Sequence, residues 1–264
     1  MESYLDVYRK HDGKVSHKWI HTFPIYDRLF HGFRENGSPI TILEIGVSNG
    51  GSLEIWEKYL PRNSQIHGID INSKCCDLQF SKNINFHLGS AADNNFTDKE
   101  FNGIEFDIIL DDGSHISKDV INTFVNMFPK IKAGGVYIVE DLHTSYWKNY
   151  GGEFLRKNSS IEFFKKLIDV TNYDYIKKGG KNKYLHGKEL SLIKKYSDSI
   201  SAISFFDSIC AIEKFCQPKN IPFEAVISGV EDAINDSSGI EHIKNELQLV
   251  DKINKMYVDE KKQL

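Results

Sequence analysis

Two short apolar runs that each end in acidic residues constrain this chain more than any other feature. Residues 106–110 lead into Asp111-Asp112-Gly113-Ser114-His115, and residues 136–139 lead into Glu140-Asp141-Leu142-His143. Apolar runs without polar alternation are typical of strands buried on both faces of a parallel sheet. Ligands of such sheets bind beyond the carboxyl ends of the strands, so we expect these acids and histidines to converge on one site. Because carboxylates packed together repel each other, the pattern also predicts a divalent metal ion.

The rest of the chain alternates predicted strands with predicted helices. Strands are expected at residues 40–45, 65–69, 83–88, 105–110 and 135–139, and two antiparallel strands at 199–205 and 208–214. Helices are expected at 53–60, 117–130 and 161–170. Because parallel strands need helical crossovers, the pattern predicts an α/β fold with a doubly wound, mostly parallel, seven-stranded sheet.

Three segments are predicted around this sheet. Residues 1–36 form an N-terminal helical cap, in which Pro24 divides the apolar stripe of residues 18–33 into two pieces. Residues 37–216 form the core. Residues 217–264 form a C-terminal helical extension of the same domain, with a helix over 239–261.

The composition excludes several classes of function. The 264 residues include 33 Lys and Arg against 37 Asp and Glu, so no excess of positive charge indicates a nucleic-acid partner. The N-terminus lacks a signal-peptide pattern and no apolar run is long enough to cross a bilayer, which predicts a cytoplasmic protein without membrane insertion. The cysteines, Cys75, Cys76, Cys210 and Cys216, show no CxxC spacing and are expected to be reduced.

The glycine-rich turn after the first strand has three interpretations. It spans Glu44 to Ser52 and lacks the middle glycine of the dinucleotide fingerprint, which disfavours NAD. The same turn contains GxSxG around Ser48, as in the nucleophile elbow of serine hydrolases. A third interpretation is a methyltransferase in which Glu44 and the turn hold S-adenosylmethionine. Asp70, at the end of the second strand, would then accept hydrogen bonds from the ribose hydroxyls, or it caps the strand end.

The acidic edge also allows more than one interpretation. Carboxylate oxygens suit Mg²⁺, Mn²⁺ or Ca²⁺ and could leave positions for two substrate oxygens. Alternatively, Asp112 caps the helix that starts near residue 117, and His115 is structural. A third arrangement combines Asp112, His115 and His143 as the two-histidine, one-carboxylate set of non-haem iron oxygenases.

Four motifs carry a resemblance to a known family. They are residues 18–26, residues 43–52, Asp111-Asp112-Gly113-Ser114-His115, and Glu140-Asp141-Leu142-His143-Thr144-Ser145-Tyr146-Trp147. Together they resemble the metal-dependent sugar O-methyltransferases that modify macrolides and related glycosides, and methyltransferases of bacterial surface-polysaccharide pathways. The resemblance covers about residues 18–152 and implies a Rossmann-like class I methyltransferase fold.

The resemblance also implies roles for individual residues. Asp112, Glu140 and Asp141 match the Mg²⁺ ligands, and His115 matches the general base. The S-adenosylmethionine contacts match Glu44, Gly46, Ser52, Asp70, Ser90 and Ala91, and Asp111 lies where the methionine end would be. Many relatives have Gly-Asp-Gln where this chain has Gly89-Ser90-Ala91.

The sequence therefore predicts an enzyme that transfers a methyl group from S-adenosylmethionine to a sugar hydroxyl, in glycoside or in capsule or surface-polysaccharide biosynthesis. The expected acceptor is a small-molecule or nucleotide-linked sugar, and the basic segment 177–183 is a candidate contact for its phosphate. The alternatives are a catechol-like or other metal-chelating acceptor and a serine hydrolase using Ser48. The identity of the sugar and the existence of a homo-oligomer are left open.

Overall fold

Seven strands form the sheet of the computed structural model, which describes residues 1–181, 187–217 and 219. The strands are β1 Thr41–Ile45, β2 Gln65–Asp70, β3 Ile84–Leu88, β4 Phe106–Asp111, β5 Ile131–Val139, β6 Ile200–Phe205 and β7 Cys210–Lys214. Their order is β3-β2-β1-β4-β5-β7-β6. The first five strands run parallel, and β7 pairs antiparallel with both β5 and β6. The predicted doubly wound, mostly parallel sheet is confirmed.

Helices cover both faces of this sheet. They are α1 Tyr4–Arg9, α2 Phe23–Asn36, α3 Gly51–Tyr59, α4 Asn94–Glu100, α5 Ser117–Met127, α6 Ser160–Thr171, α7 Tyr173–Lys178 and α8 Gly187–Tyr196. Apolar residues of α1, α2 and α3 form one buried cluster with alternate strand residues, and those of α5, α6 and α8 form the other. This division follows from the strands, whose successive side chains point to opposite faces.

The N-terminal segment packs directly on the sheet-bearing core. Tyr4 of α1 is fully buried and stacks on Trp56 of α3, with ring centroids 4.5 Å apart. Pro24 lies in the first turn of α2, after a 3₁₀ turn at Ile20–Thr22, so the expected division into two pieces occurs at the start of the helix. Residues 1–217 form one compact unit.

Several elements differ from the sequence-based expectations. The sequence patterns do not predict α1, α4, α7 or α8, and α7 extends to Lys178, inside the segment expected to be a basic loop. Strand β5 begins at Ile131, four residues before the predicted start. A bulge near Gly134, which has φ +78°, interrupts the register between this first part of β5 and β4. The predicted helix over 239–261 lies outside the described residues. No described helix has the length and apolar character that a membrane span needs.

Candidate active site

A cavity of about 220 Å³ opens at the carboxyl edge of the sheet, between β1, β2, β4 and α5. Five of the predicted cofactor-binding residues line it, namely Gly46, Asp70, Ser90, Ala91 and Asp111. The structure therefore brings most of the predicted donor site together, at the sheet edge where open α/β folds bind their ligands. We call it the donor cavity.

The glycine turn that borders the donor cavity depends on Gly46. Its φ is +95°, and a Cβ atom at this position would lie 2.1 Å from the carbonyl oxygen of Asp112. Real side chains do not tolerate such an approach, so only glycine lets the ends of β1 and β4 come this close. The sequence pattern of the turn thus reflects packing between two strand ends as well as access to a ligand.

Asp70 holds the same turn from the neighbouring strand. Its Oδ2 accepts hydrogen bonds from the backbone N–H groups of Val47 and Ser48, at 2.9 and 3.0 Å, and its Oδ1 accepts one from Asn72 at 2.8 Å. Asp70 thus has the capping contacts and also faces the donor cavity. Its contact with a ribose stays a prediction. Oδ1, which accepts one of these bonds, keeps a lone pair for such a contact, whereas Oδ2 already accepts two.

Glu44 and Ser52 lie away from the described lining of the donor cavity. Glu44 is 1% exposed and its Oε2 accepts a hydrogen bond from the indole Nε1 of Trp56 at 3.1 Å. Burial raises the pKa of Glu44, and the charge of Lys18 opposes this effect. Because side chains alternate along β1, Ile45 faces the cavity whereas Glu44 faces the N-terminal helices. The predicted cofactor contacts of Glu44 and Ser52 remain predictions.

Asp111 closes the donor cavity at the end of β4. It is 3% exposed, and the hydroxyl of Tyr137 donates a hydrogen bond to its Oδ2 at 3.1 Å. Burial raises the pKa of Asp111 to about 7, although the bonds from Tyr137 and the N–H of Gly113 favour the charged form.

Next to the donor cavity, Asp112, His115 and Asp141 form a group that we call the Asp112 cluster. One ligand atom from each lies within 4.8 Å of the others. The Nε2 atom of His115 is 3.8 Å from an oxygen of Asp112 and 3.8 Å from an oxygen of Asp141. The two partly exposed carboxylates suit a hard divalent cation such as Mg²⁺ or Mn²⁺, and the imidazole lies beside them. The residues present therefore fit the predicted metal.

Backbone geometry builds the Asp112 cluster from two turns. His115 and Asp141 have φ values of +57° and +52°, in the left-handed region that non-glycine residues rarely adopt. The hydroxyl of Thr144 lies 3.2 Å from the carbonyl oxygen of His115 and 2.7 Å from that of Asp141, so it can donate to either. This threonine ties the two turns together, which helps to hold both residues in a conformation of higher energy.

Glu140, a predicted metal ligand, belongs to a different group, which we call the Lys18 cluster. Its members are Lys18, Tyr26, Glu44 and Glu140. The ammonium of Lys18 and the hydroxyl of Tyr26 both donate to the carboxylate of Glu140, and Lys18 lies 3.7 Å from Glu44. Lys18 also donates to Oδ2 of Asp112, at 2.6 Å, and its side chain is only 3% exposed. Glu140 therefore faces the N-terminal helices, while its neighbour Asp141 faces the Asp112 cluster.

Burial dominates the electrostatics of the Lys18 cluster. It raises the pKa of the Glu140 carboxyl, and the charge of Lys18 is the main influence in the opposite direction. Burial by itself would lower the pKa of Lys18, but attraction to Glu140, Tyr26, Asp112 and Glu44 raises it well above its usual range. Lys18 therefore carries its charge among buried acids, and its removal would leave them without a cationic partner.

Two alternative sites are not assembled. The hydroxyl of Ser48 makes no hydrogen bond to a histidine among the residues that the structure describes, so the hydrolase interpretation lacks a base. His143 bonds through Nδ1 to the hydroxyl of Ser208 at 2.6 Å and is not part of the Asp112 cluster. The iron-oxygenase set of Asp112, His115 and His143 is therefore not gathered within the described part of the chain.

Four contributors to the site were given no role by the sequence reasoning: Lys18, Tyr26, Trp56 and Thr144. Lys18 and Tyr26 lie within the first of the motifs that carry the family resemblance, which is the signal that could have identified them. Tyr26 was counted instead as part of an apolar helical stripe. Thr144 lies within the last motif, but nothing in the sequence indicates that its hydroxyl joins two turns.

Comparison with known proteins agrees with this geometry. Residues 43–142 match the sequence profile of a family described as a methyltransferase domain. Mycinamicin VI 2''-O-methyltransferase of Micromonospora griseorubida is 35% identical over 167 residues, which is 59% of this chain and 41% of that protein. A tetracenomycin-C relative from Streptomyces olivaceus, 8-demethyl-8-alpha-L-rhamnosyl tetracenomycin-C 2'-O-methyltransferase, is 34% identical over 178 residues, covering 63% of this chain and 46% of its own length. The matched part thus spans less than half of each of these curated relatives.

Among solved structures, the MycE methyltransferase of the mycinamycin biosynthetic pathway, in complex with Mg and SAH, superposes with a TM-score of 0.66 at 27% identity. The alignment covers 81% of this chain and 55% of MycE. Residues 43–142, which match the family profile, contain the donor cavity and the Asp112 cluster. This part of the chain therefore matches a methyltransferase domain on a sheet with the Rossmann-like class I methyltransferase fold, and the chain is similar to the mycinamicin VI and tetracenomycin-C O-methyltransferases named above.

Proposed function

We propose that the protein is a metal-dependent O-methyltransferase that transfers the methyl group of S-adenosylmethionine to a sugar hydroxyl of a small glycosidic acceptor. The observation that carries the proposal is the adjacency of two sites. Asp111 lines the donor cavity, while the next residue, Asp112, belongs to the cluster that fits a divalent cation. A hydroxyl held at the Asp112 cluster would therefore lie beside the methyl donor, and such positioning contributes much of the rate of a displacement reaction.

Each group has a defined part in the proposed reaction. S-adenosylmethionine supplies an activated methyl group, and Mg²⁺ supplies positive charge that makes a nearby hydroxyl more acidic. Asp112 and Asp141 would hold the cation, and Nε2 of His115 would accept the hydroxyl proton as general base. Asp70 and Asp111 would hold the ribose and the methionine end of the donor. Lys18 would orient Asp112 through its hydrogen bond to Oδ2.

The similarity described above supports a glycoside as the acceptor. The relatives act on sugars carried by mycinamicin and tetracenomycin, whereas a polysaccharide acceptor has no comparable support. Glu140 is kept in the proposal as an indirect participant. Its carboxylate is held by Lys18 and Tyr26, so it would influence the cation through Lys18 and Asp112 rather than as a free ligand.

Two measurements test the proposal. Isothermal titration calorimetry with S-adenosylhomocysteine should detect binding to the donor cavity without any metal. Mass spectrometry of glycosides and nucleotide-linked sugars incubated with the protein and S-adenosylmethionine should show a methyl addition that needs Mg²⁺ and disappears with a chelator. The absence of S-adenosylhomocysteine binding to the folded protein would refute the proposed function.

A further inference from the structure

A second cavity, of about 580 Å³, lies between α5, α6, α8 and the loop over residues 151–158. This volume falls in the range of small-molecule sites and exceeds that of the donor cavity. The donor cavity and the Asp112 cluster make no use of it. We call it the cationic cavity because of the charges that line it.

Four of its described lining residues are positively charged and none is negatively charged: Lys118, Arg156, Lys157 and Lys166. Two acids of the neighbouring segments already have lysine partners, since Glu153 pairs with Lys148 and Glu162 pairs with Lys165. Lys118, Arg156 and Lys157 form no ion pair with any carboxylate in the described part of the chain. In a chain with a net charge of −4, such a cavity concentrates positive potential and favours an anionic ligand.

The position of the cationic cavity connects it to the proposed reaction. Ile116 and Ser117, the two residues that follow His115, line one end of it. On the other side, Gly151 lines it, at the end of the segment that begins with Asp141 and contains Thr144. The cationic cavity therefore adjoins the two turns that carry the Asp112 cluster, and its described lining shares no residue with that of the donor cavity.

The lining is not only charged. Ile121 of α5, Phe163 of α6 and Leu192 of α8 form a partly exposed apolar wall, and Asn122 and Asn158 offer amide groups. Phosphate groups are recognised by Arg and Lys, whereas a planar base is recognised by an aromatic face and by amide hydrogen bonds. The combination matches a ligand with a diphosphate and a nucleobase better than a simple inorganic anion.

We propose that the cationic cavity binds the nucleoside diphosphate part of a nucleoside diphosphate sugar, whose sugar presents its hydroxyl to the Asp112 cluster. This inference rests on the proposed function for the identity of the sugar as methyl acceptor, but binding of the nucleotide can be measured separately. A lipid-linked sugar diphosphate shares the same phosphate chemistry. The bounded volume and the amide groups favour the nucleoside, because a lipid would need a long apolar channel.

The test is a calorimetric titration of the full-length protein in metal-free buffer with a chelator, so that phosphates cannot bind through the Asp112 cluster. The probes are uridine diphosphate, uridine and farnesyl diphosphate, with S-adenosylhomocysteine titrated in parallel. The variants are Lys118→Glu and Arg156→Glu. The matched control is Lys82→Glu, an exposed lysine that precedes β3 at the opposite edge of the sheet.

Uridine diphosphate should bind, and uridine should bind at least ~10-fold more weakly. Each cavity variant should lower the affinity for uridine diphosphate by at least ~10-fold, because reversing a charge replaces an attraction by a repulsion. The control should leave its affinity unchanged, and all variants should bind S-adenosylhomocysteine normally. Equal effects of Lys118→Glu and Lys82→Glu, or no binding of uridine diphosphate, would overturn the proposal. Tighter binding of farnesyl diphosphate would overturn the assignment to a nucleoside. Loss of S-adenosylhomocysteine binding alone would contradict the proposed function and leave this site standing.

Discussion

Glu140 and Asp141 are neighbours in sequence at the same sheet edge, but they lie in opposite electrostatic surroundings. Glu140 is 3% exposed and bonded to Lys18 and Tyr26. The side chain of Asp141 is 22% exposed and has no lysine or arginine partner among the described residues, only His115 and His143 at 3.8 Å. The buried acids of the Lys18 cluster thus share a cation that the protein supplies, whereas the charge of Asp141 is available for a bound cation. Of two neighbouring carboxylates at one strand end, Glu140 therefore serves the fold and Asp141 is available for binding.

The largest effect is expected from Lys18→Met, which removes the cation from the Lys18 cluster. Breaking a buried ion pair leaves uncompensated acids, so the free energy of unfolding should fall by about 3 to 5 kcal/mol at pH 8. Burial raises the pKa of Glu140 above its ordinary value of 4.5. Because the charge of Lys18 lowers this pKa, its removal raises the pKa of Glu140 further. The folded variant therefore keeps a proton to higher pH than the wild-type protein does, so its stability is greatest below the unfolded pKa and its deficit relative to wild type grows as the pH rises.

Chemical denaturation at pH 5 and pH 8 measures this change. The matched control is Lys14→Met, because Lys14 pairs with Glu54 at 2.5 Å while both side chains are partly exposed. A partly exposed pair contributes at most about 1 kcal/mol. If the two variants lose equal stability, or if the deficit of Lys18→Met does not grow with pH, the Lys18 cluster is not the buried, charge-compensated group described above.

The second prediction separates the two neighbouring acids. Asp141→Asn should lower methyl transfer by ~10²-fold or more, because the proposed cation loses a ligand and contributes several kcal/mol when bound. It should change the free energy of unfolding by no more than about 0.5 kcal/mol relative to the wild-type protein, since no strong partner is lost. Glu140→Gln should instead destabilise the fold, because Lys18 loses a charged acceptor. Paired activity and denaturation measurements test the contrast, and it fails if Asp141→Asn retains wild-type activity in a chelator.

The third prediction concerns His115 within the Asp112 cluster. His115→Asn is preferable to an alanine variant, because asparagine tolerates the φ of +57° at this position. If His115 is the general base, kcat should fall by ~10²-fold while S-adenosylhomocysteine still binds. The affinity for Mn²⁺, measured by calorimetry, should stay unchanged. A loss of Mn²⁺ affinity that parallels the loss of rate would instead make His115 a metal ligand.

The sheet and its acidic edge could be predicted because they depend on local patterns. Continuous apolar runs identify doubly buried strands, and the strand ends bring Asp111, Asp112 and Asp141 to one edge. The antiparallel pair at the end of the sheet followed from the same kind of run. The short helices α1 and α4, of six and seven residues, escaped prediction because helices of this length are held by tertiary packing rather than by their own propensity.

The partition of the acids between two clusters could not be predicted. The contact of Lys18 with Glu140 joins residues 122 positions apart, so no local pattern reports it. The alternation of side chains also stops being a guide where β5 ends, since the left-handed turn at Asp141 decides where each acid points. The family resemblance groups Glu140 with Asp112 and Asp141 as metal ligands. In the structure Lys18 donates to both Glu140 and Asp112, and a direct bond from Glu140 to a metal ion stays a prediction.

The smallest effect is expected from Tyr26→Phe, which removes one hydrogen bond from the Lys18 cluster. Burial, followed by the charge of Glu140, raises the pKa of Tyr26 well above its usual range, so its hydroxyl stays protonated and donates to Glu140. A hydrogen bond to a charged group contributes about 1.5 to 3 kcal/mol, and the remaining bond from Lys18 should keep the loss near the lower value.

The control is Tyr59→Phe, which removes a 2.7 Å bond to the partly exposed carboxylate of Asp27. Asp27 also accepts a bond from the backbone N–H of Tyr4 and can be solvated, so this variant should lose about 1 kcal/mol or less. Chemical denaturation of both variants at pH 7 compares the free energy lost with a hydrogen bond to a buried carboxylate and that lost with a hydrogen bond to an accessible carboxylate. A loss in Tyr59→Phe that equals or exceeds that in Tyr26→Phe would show that burial does not distinguish the two acids.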